Sequence, residues 1–267
     1  MKLIRFIKGN LRSRKSKRQC RALLASDPID SVNPNDFASS LADPLDYYKR
    51  AFQDFHRALP EELREHRKFF QTDRRGFGED AFHTMWWRLI ERFRPARFLE
   101  IGVYRGQTLS LIALIAKTEG LSIQVTGISP FSSAGDSVSN YGGGLDYRAD
   151  TLANFARFNL PAPELLQAYS TDPEAVELIR DRVWDIIYID GNHDYDVVKA
   201  DWALCSEAVA VGGLIVLDDS GLSTTYQPPA FATAGHPGPS KLAAEIDRSR
   251  YEEIIQVGHN RVFRRLA

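Results

Sequence analysis

Two cysteines, Cys20 and Cys205, are all that the 267 residues contain. Far apart and in no paired spacing, they exclude a disulfide framework and a cysteine zinc site, so a reducing cytoplasm is the expected home. Also lacking is a long apolar run. No stretch approaches the roughly 18 apolar residues of a membrane span. At the N-terminus Arg5 and Lys8 interrupt Leu3, Ile4, Phe6 and Ile7, so there is no secretory core. Residues 1–26 have no acid at all, the first being Asp27, yet they hold nine of the 34 basic residues. The remainder carries 25 basic and 35 acidic side chains, a formal charge of −10. A body of that sign is repelled by phosphate backbones, which argues against a nucleic-acid substrate. Three readings of the basic head stay open: a solvated tail, a mitochondrial presequence, or a helix with Leu3, Ile4, Ile7 and Leu11 on one face, lying on an anionic membrane surface.

What is present suits a globular enzyme. Hydrophobic residues make up 43% of the chain, enough to bury a core without metal or disulfide. Residues 26–44, rich in Ser, Asp, Asn and Pro, read as a linker that completes a 1–44 tail segment. Helical periodicity follows over 46–59, 61–71 and 79–93, giving a helical extension at 45–78 ahead of a main domain at 79–267. The stripe Phe82, Met85, Trp86, Leu89 and Phe93 is expected to pack on a sheet rather than form a ligand box. From Arg97 onward, strand-like runs at 97–101, 123–128, 164–168, 184–189 and 213–218 alternate with helical patterns at 106–118, 148–158, 172–182 and 194–209. That alternation predicts an α/β fold, a Rossmann-like doubly wound and mostly parallel sheet. Two short strands at 252–257 and 261–265, joined by Gly258-His259-Asn260, predict a terminal antiparallel hairpin.

Ligands of such sheets bind at the carboxyl ends of the strands. The first strand ends in Glu100-Ile-Gly102-Val-Tyr104-Arg-Gly106, a spacing of E-x-G-x-x-x-G and not the dinucleotide G-x-G-x-x-G. Gly102 permits a tight turn there, and Gly106 permits a ligand to approach the first helical turn. The Glu100 carboxylate suits a cationic group such as the amino group of a methionine moiety better than a pyrophosphate. The second strand, ending Gly127-Ile128-Ser129-Pro130, has no acid to hold a ribose; Ser129 offers one hydrogen bond, and Asp136, Asp146 or Asp150 could substitute.

The fourth strand runs into Asp190-Gly191-Asn192-His193-Asp194-Tyr195, and the fifth into Asp218-Asp219. Side by side, three carboxylates would converge and would need protons or a cation to coexist. An oxygen-only ligand set of Asp190, Asp218 and Asp219 favours Mg2+ over Zn2+. The bland alternative is that these aspartates cap helices and turns, Asp194 above all.

Together these motifs resemble the class I S-adenosylmethionine-dependent methyltransferases, and within them the metal-dependent O-methyltransferases of the macrocin O-methyltransferase and cephalosporin hydroxylase-like type. The resemblance covers about residues 79–265. Its most specific part is an I-D-G-x-H-x-Y stretch followed by G-G-x-I-x-x-D-D, standing here at Ile189–Tyr195 and Gly212–Asp219. It implies Asp190, Asp218 and Asp219 as metal ligands, with Asp190 also in the catalytic set. It implies His193 as general base, and Glu100, Gly102, Tyr104 and Gly106 as the cofactor loop. Ser129 and Ser170 would lie further along the cofactor, Ser170 near the adenine. The implied acceptor is a hydroxyl of a sugar or similar small molecule, in a cytoplasmic or membrane-peripheral enzyme that could be a homo-oligomer. An aliphatic hydroxyl, as weak an acid as water at pKa roughly 15.7, needs the metal and a base to become a nucleophile. Two alternatives stand beside this: a metal-independent methyltransferase of another acceptor, and a non-catalytic cofactor-binding scaffold docked on a membrane. Residues 220–240, rich in Pro, Gly and Thr, are expected to form a substrate lid presenting Tyr226, Phe231 and His236.

Overall fold

The computed structural model describes the chain except residues 1, 34, 36 and 140; for residues 2–13 it describes only the course of the backbone. Helices α1 (Lys2–Ala25), α2 (Ala38–Ala42), α3 (Pro44–Arg57), α4 (Glu61–Gln71) and α5 (Asp80–Phe93) precede the sheet. Strands β1 (Arg97–Ile101), β2 (Gln124–Ser129), β3 (Glu164–Gln167), β4 (Trp184–Ile189) and β5 (Val209–Leu217) then alternate with α6 (Gln107–Thr118), α7 (Tyr147–Arg157), α8 (Pro173–Arg180) and α9 (Tyr195–Ala208). Helix α10 (Pro237–Glu245) and the hairpin β6 (Tyr251–Val257) and β7 (Asn260–Arg265) close the chain. The sheet order is β3-β2-β1-β4-β5-β7-β6, with β1 to β5 parallel and the hairpin antiparallel. The expected Rossmann-like α/β sheet and its terminal hairpin are both present.

Two cores flank the sheet. On one face the α5 stripe is buried as expected: the Trp86 ring meets Phe98 of β1 and Tyr188 of β4 edge-on, at 5.5 and 5.1 Å. The other face packs β1, β4 and β5 against α8, α9 and α10 around Trp184, Trp202 and Phe263. Helix α3, started by Pro44 and capped by Asp43, which accepts from Asp46 N at 2.9 Å, joins the first core through Tyr47, Tyr48, Ala51 and Phe52. The helical extension therefore shares its core with the sheet.

Several expectations change. Residues 26–44 are not a free linker: Val32 and Phe37 are buried, and Ser40 of α2 accepts from Gln256 N of β6 at 2.9 Å. A few apolar side chains among polar neighbours suffice to dock such a segment, which its composition conceals. The basic head takes a helical course through Lys2–Ala25, with most of residues 14–25 exposed. The side chains of its expected membrane-facing residues Leu3, Ile4, Ile7 and Leu11 lie outside the described residues. Strand β5 begins at Val209, earlier than the glycine pair suggested. Among the described residues, no helix is long and apolar enough to cross a membrane.

Candidate active site

Two cavities open side by side at the carboxyl edge of the sheet and share the wall formed by Gly102, Tyr104, Tyr141 and Asp190. The first is a cleft running from Gly102 past Ser129 and Phe131 to Ala168, Tyr169 and Ser170. Gly102 takes φ +100°, and a Cβ there would stand 2.0 Å from the Asp190 carbonyl oxygen. The glycine is thus required by the exit of β4, which passes directly over it. Gly106 (φ +75°) faces protein as well, since its Cβ would meet the Thr151 methyl at 2.6 Å. It lets α7 close on α6 instead of admitting a ligand, as the sequence had suggested.

Of the expected cofactor residues, Gly102, Tyr104, Ser129 and Ser170 line this cleft together with Asp190, whereas Glu100 and Gly106 do not. The Glu100 side chain is buried in the wall of the second cavity. Burial, opposed by a hydrogen bond from the Leu109 amide, pushes its carboxyl up to about 8, and its Oε2 has no partner. Of the three candidate ribose acids, Asp146 caps α7 by accepting from Ala149 N at 2.8 Å, and Asp150 pairs with Arg105 at 2.5 Å. Only Asp136 reaches the cleft.

The second cavity is acidic and lined with imidazoles. Asp219 follows β5 at φ +51°, a left-handed conformation that costs a non-glycine residue about 1–3 kcal/mol. Its carbonyl accepts from His236 N at 2.8 Å, which helps hold it there. His193 bridges two carboxylates, Nδ1 to Asp136 Oδ2 at 2.5 Å and Nε2 to Asp219 Oδ2 at 2.8 Å. Burial lowers the affinity of this ring for its proton, but Asp219 and Asp136 prevail and hold it up at about 9. His259, in the turn between β6 and β7, puts Nε2 at 3.3 Å from Asp218 Oδ1 and 3.7 Å from Asp219 Oδ1. Against a burial penalty, Asp218 and then Glu79 push it up to about 10. Asp190, half-buried beside Asp218, is raised well above its ordinary value by burial and by that neighbour, whereas His259 helps hold Asp218 down at about 2 against its own burial.

The structure therefore gathers Asp190, Asp218, Asp219 and His193, and adds His259 and His236. Among the described residues, two groups have ligand atoms within 4.8 Å of one another: Asp218, Asp219 and His259, and His193, Asp219 and His236. The side chains that lie together are thus a mixture of carboxylate and imidazole, where the sequence led to the expectation of oxygen ligands alone. His259 escaped the sequence because Gly258-His259-Asn260 reads as turn chemistry. Only the antiparallel pairing of β7 with β5, Arg261 beside Leu217, brings that turn to the strand ends. The open lid also needs correction. Tyr226 is buried against Tyr48 with ring centroids 5.6 Å apart, Phe231 lies against Phe52 at 5.1 Å, and residues from Pro237 already belong to α10. Of the three expected lid residues, only His236, 3.7 Å from Asp219, faces the cavity.

Residues 99–220 match the family model described as a methyltransferase domain. An uncharacterised protein of Acanthamoeba polyphaga mimivirus is 30% identical over 159 residues, 58% of this chain and 62% of that protein. The chain thus covers under two thirds of that curated relative's length. Among solved structures, the O-methyltransferase from Bacillus cereus in complex with SAH superposes with a TM-score of 0.53 at 16% identity, over 79% of this chain and 93% of that one. An SAH-bound methyltransferase of Podospora anserina gives 0.54 at 14% identity, over 89% and 99%. At these identities the superpositions establish the fold.

Proposed function

We propose that the protein is a class I, S-adenosylmethionine-dependent methyltransferase that methylates a hydroxyl of a sugar or similar polyol, assisted by a divalent cation; the methyltransferase-domain match over residues 99–220 supports the methyl-transfer part. One observation carries this: the cleft and the acidic cavity meet at Asp190, so a methyl donor in one and an acceptor oxygen in the other would face each other across a shared wall. Bound there, S-adenosylmethionine would supply an electrophilic methyl group, and a divalent cation would acidify the acceptor hydroxyl.

The residues fit both groups. The cleft combines the Tyr104 and Tyr141 rings with Ser129, Ser170 and backbone of the strand ends, the apolar walls and few polar points that a nucleoside needs. In the acidic cavity Asp218 Oδ1 is buried, paired only with the His259 imidazole at 3.3 Å, and it lies beside Asp219 and Asp190, whose proton affinity is raised. Such a cluster is stabilised by positive charge, which the His193 and His259 imidazoliums now supply and a cation could replace. Asp218, Asp219 and His259 would hold that cation, with Asp190 joining on loss of its proton. The imidazole content widens the choice from Mg2+ toward Mn2+ or Zn2+. Asp136 would keep one proton of His193 on Nδ1; once the imidazolium had released its Nε2 proton to solvent, Nε2 would be the atom to accept the acceptor's proton. Alignment of the two cavities would provide most of the acceleration.

A second reading rests on the same imidazoles: they already neutralise the carboxylates, so acid–base chemistry without metal is consistent with the geometry. Methyl transfer to a panel of sugars and nucleoside sugars, assayed in EDTA and after restoring Mg2+, Mn2+ or Zn2+, separates the two. Full activity in EDTA would remove the cation; no transfer to any hydroxyl would remove the reading itself.

A further inference from the structure

Beneath the second half of α1 lies a wide groove that the two cavities do not account for. Lys17, Cys20 and Arg21 of α1 form one side and Arg67 of α4 the other. The groove runs into the acidic cavity, for Gly76, Phe77, Gly78 and Thr233 line both. Helix α1 is tied across it: Gln19 Oε1 accepts from Ala230 N at 2.6 Å, and Gln53 Nε2 donates to the Leu23 carbonyl at 3.0 Å.

The acids of the groove are committed, whereas its cations keep donors to spare. Asp80 accepts from Arg67 Nε and Gln71 Nε2, each at 2.9 Å, and pairs with His56 at 3.0 Å. Glu79 accepts from the Tyr48 hydroxyl at 2.7 Å and from Thr233 N at 3.2 Å. Lys17 and Arg21, by contrast, make no ion pair among the described residues. Arg67 is only 8% exposed, yet its Nη1 has no hydrogen-bond partner. Leaving a buried charged donor unsatisfied is costly, and an oxyanion is the acceptor that a guanidinium fork suits best. At the seam between groove and cavity, Phe77 is 68% exposed with its ring 5.1 Å from Tyr104. An aromatic face left in solvent there offers a stacking surface to whatever crosses the seam.

We propose that this groove binds an oxyanionic end, phosphate or carboxylate, of the same acceptor whose hydroxyl enters the acidic cavity, with Lys17, Arg21 and Arg67 on the oxyanion and Phe77 against the intervening ring. The inference rests on the methyl-transfer reading and adds the acceptor's charge and reach: an extended anionic polyol, not a neutral sugar. It also gives the basic α1 a task at the site. The same three cations could take the phosphate of a lipid headgroup, so the test must separate the two sources.

Cys20 borders the groove and Cys205 is buried, so alkylation of the full-length protein at pH 8.5, followed by mass spectrometry of Cys20, reports occupancy. Glucose 6-phosphate at about ten times its dissociation constant should slow Cys20 modification about tenfold. Glucose should not, and the surface variant K17Q/R21Q should lose the protection. Protection by glucose as well, none by either sugar, or undiminished protection in K17Q/R21Q overturns the proposal. Protection by phosphatidylserine vesicles but not by the sugar phosphate also overturns it, assigning the groove to a membrane surface. Titration of S-adenosylhomocysteine alongside keeps the two failures apart. Cofactor binding without anion protection sinks the groove alone, and anion protection without cofactor binding sinks the methyl-transfer reading alone.

Discussion

The cleft along the strand ends and the acidic cavity share a wall but are built by opposite means. The cleft is made of consecutive strand ends and the loops that leave them, so its shape is backbone shape, with aromatic and hydroxyl side chains filling in. The acidic cavity is made of side chains brought from Phe77 to His259, and its chemistry is charge balance among carboxylates and imidazoles. A backbone-built site is robust to most side-chain changes and fragile at a few glycines. A charge-built site should keep its shape through isosteric changes while losing its function.

Gly102 belongs to both, and changing it should have the largest effect. In Gly102→Val the φ of +100° alone costs about 1–3 kcal/mol, and the Cβ would overlap the Asp190 carbonyl at 2.0 Å. The exit of β4 must shift, which moves the cleft wall and Asp190 together. Denaturant titration should show reduced stability, and calorimetric titration should show S-adenosylhomocysteine affinity falling more than about a hundredfold, or some 3 kcal/mol. A folded variant with undiminished affinity would refute the shared wall.

The contrast in construction also explains what the sequence could disclose. Motifs carried by contiguous residues, Gly102–Gly106, Ile189–Tyr195 and Gly212–Asp219, were legible because a strand, its turn and the next helix start are specified locally. The sheet was legible for the same reason, each βα unit carrying its own periodicity. His259 was not, since its role depends on a hairpin pairing against a strand that ends some forty residues earlier. Nor was the direction of Glu100: strand alternation gives two faces, but which face meets which cavity is decided by the packing of α5 and α6. Tyr226 and Phe231 went to the core because α3 offered them an apolar surface that a loop's composition does not reveal.

Within the acidic cavity, two substitutions should fail differently while leaving the cleft alone. Asp219→Asn replaces an anionic side chain by a neutral amide and removes one clamp from His193. Cation affinity, measured by titration of Mn2+ by paramagnetic resonance, should fall at least tenfold, with turnover falling alongside. His193→Ala should keep the cation and lower turnover about 10²- to 10⁴-fold, as for loss of a general base. Both should bind S-adenosylhomocysteine within about twofold of wild type. A large loss of cofactor affinity in either would mean that the cavities are one site and not two.

Glu100 offers the smallest change and the sharpest discrimination. If it anchors a methionine amino group, as its place in the E-x-G-x-x-x-G loop suggests, its negative charge is essential and Glu100→Gln should weaken cofactor binding by tenfold or more. The structure places it in the wall of the other cavity, with burial pushing its carboxyl up to about 8, so at neutral pH it is already uncharged. Glutamine then replaces a neutral group of nearly the same shape, and S-adenosylhomocysteine affinity at pH 7 should stay within about twofold. Stability supplies the second arm. A carboxyl raised from its ordinary 4.5 in the folded state favours the fold below that value and loses its contribution as pH rises toward 8. In EDTA, the variant should therefore gain on the wild type by at most about 1.4 kcal/mol per pH unit across that window, and level off above it. A flat difference from pH 5 to 8, together with a tenfold loss of cofactor affinity, would return Glu100 to the cleft as an ionised anchor.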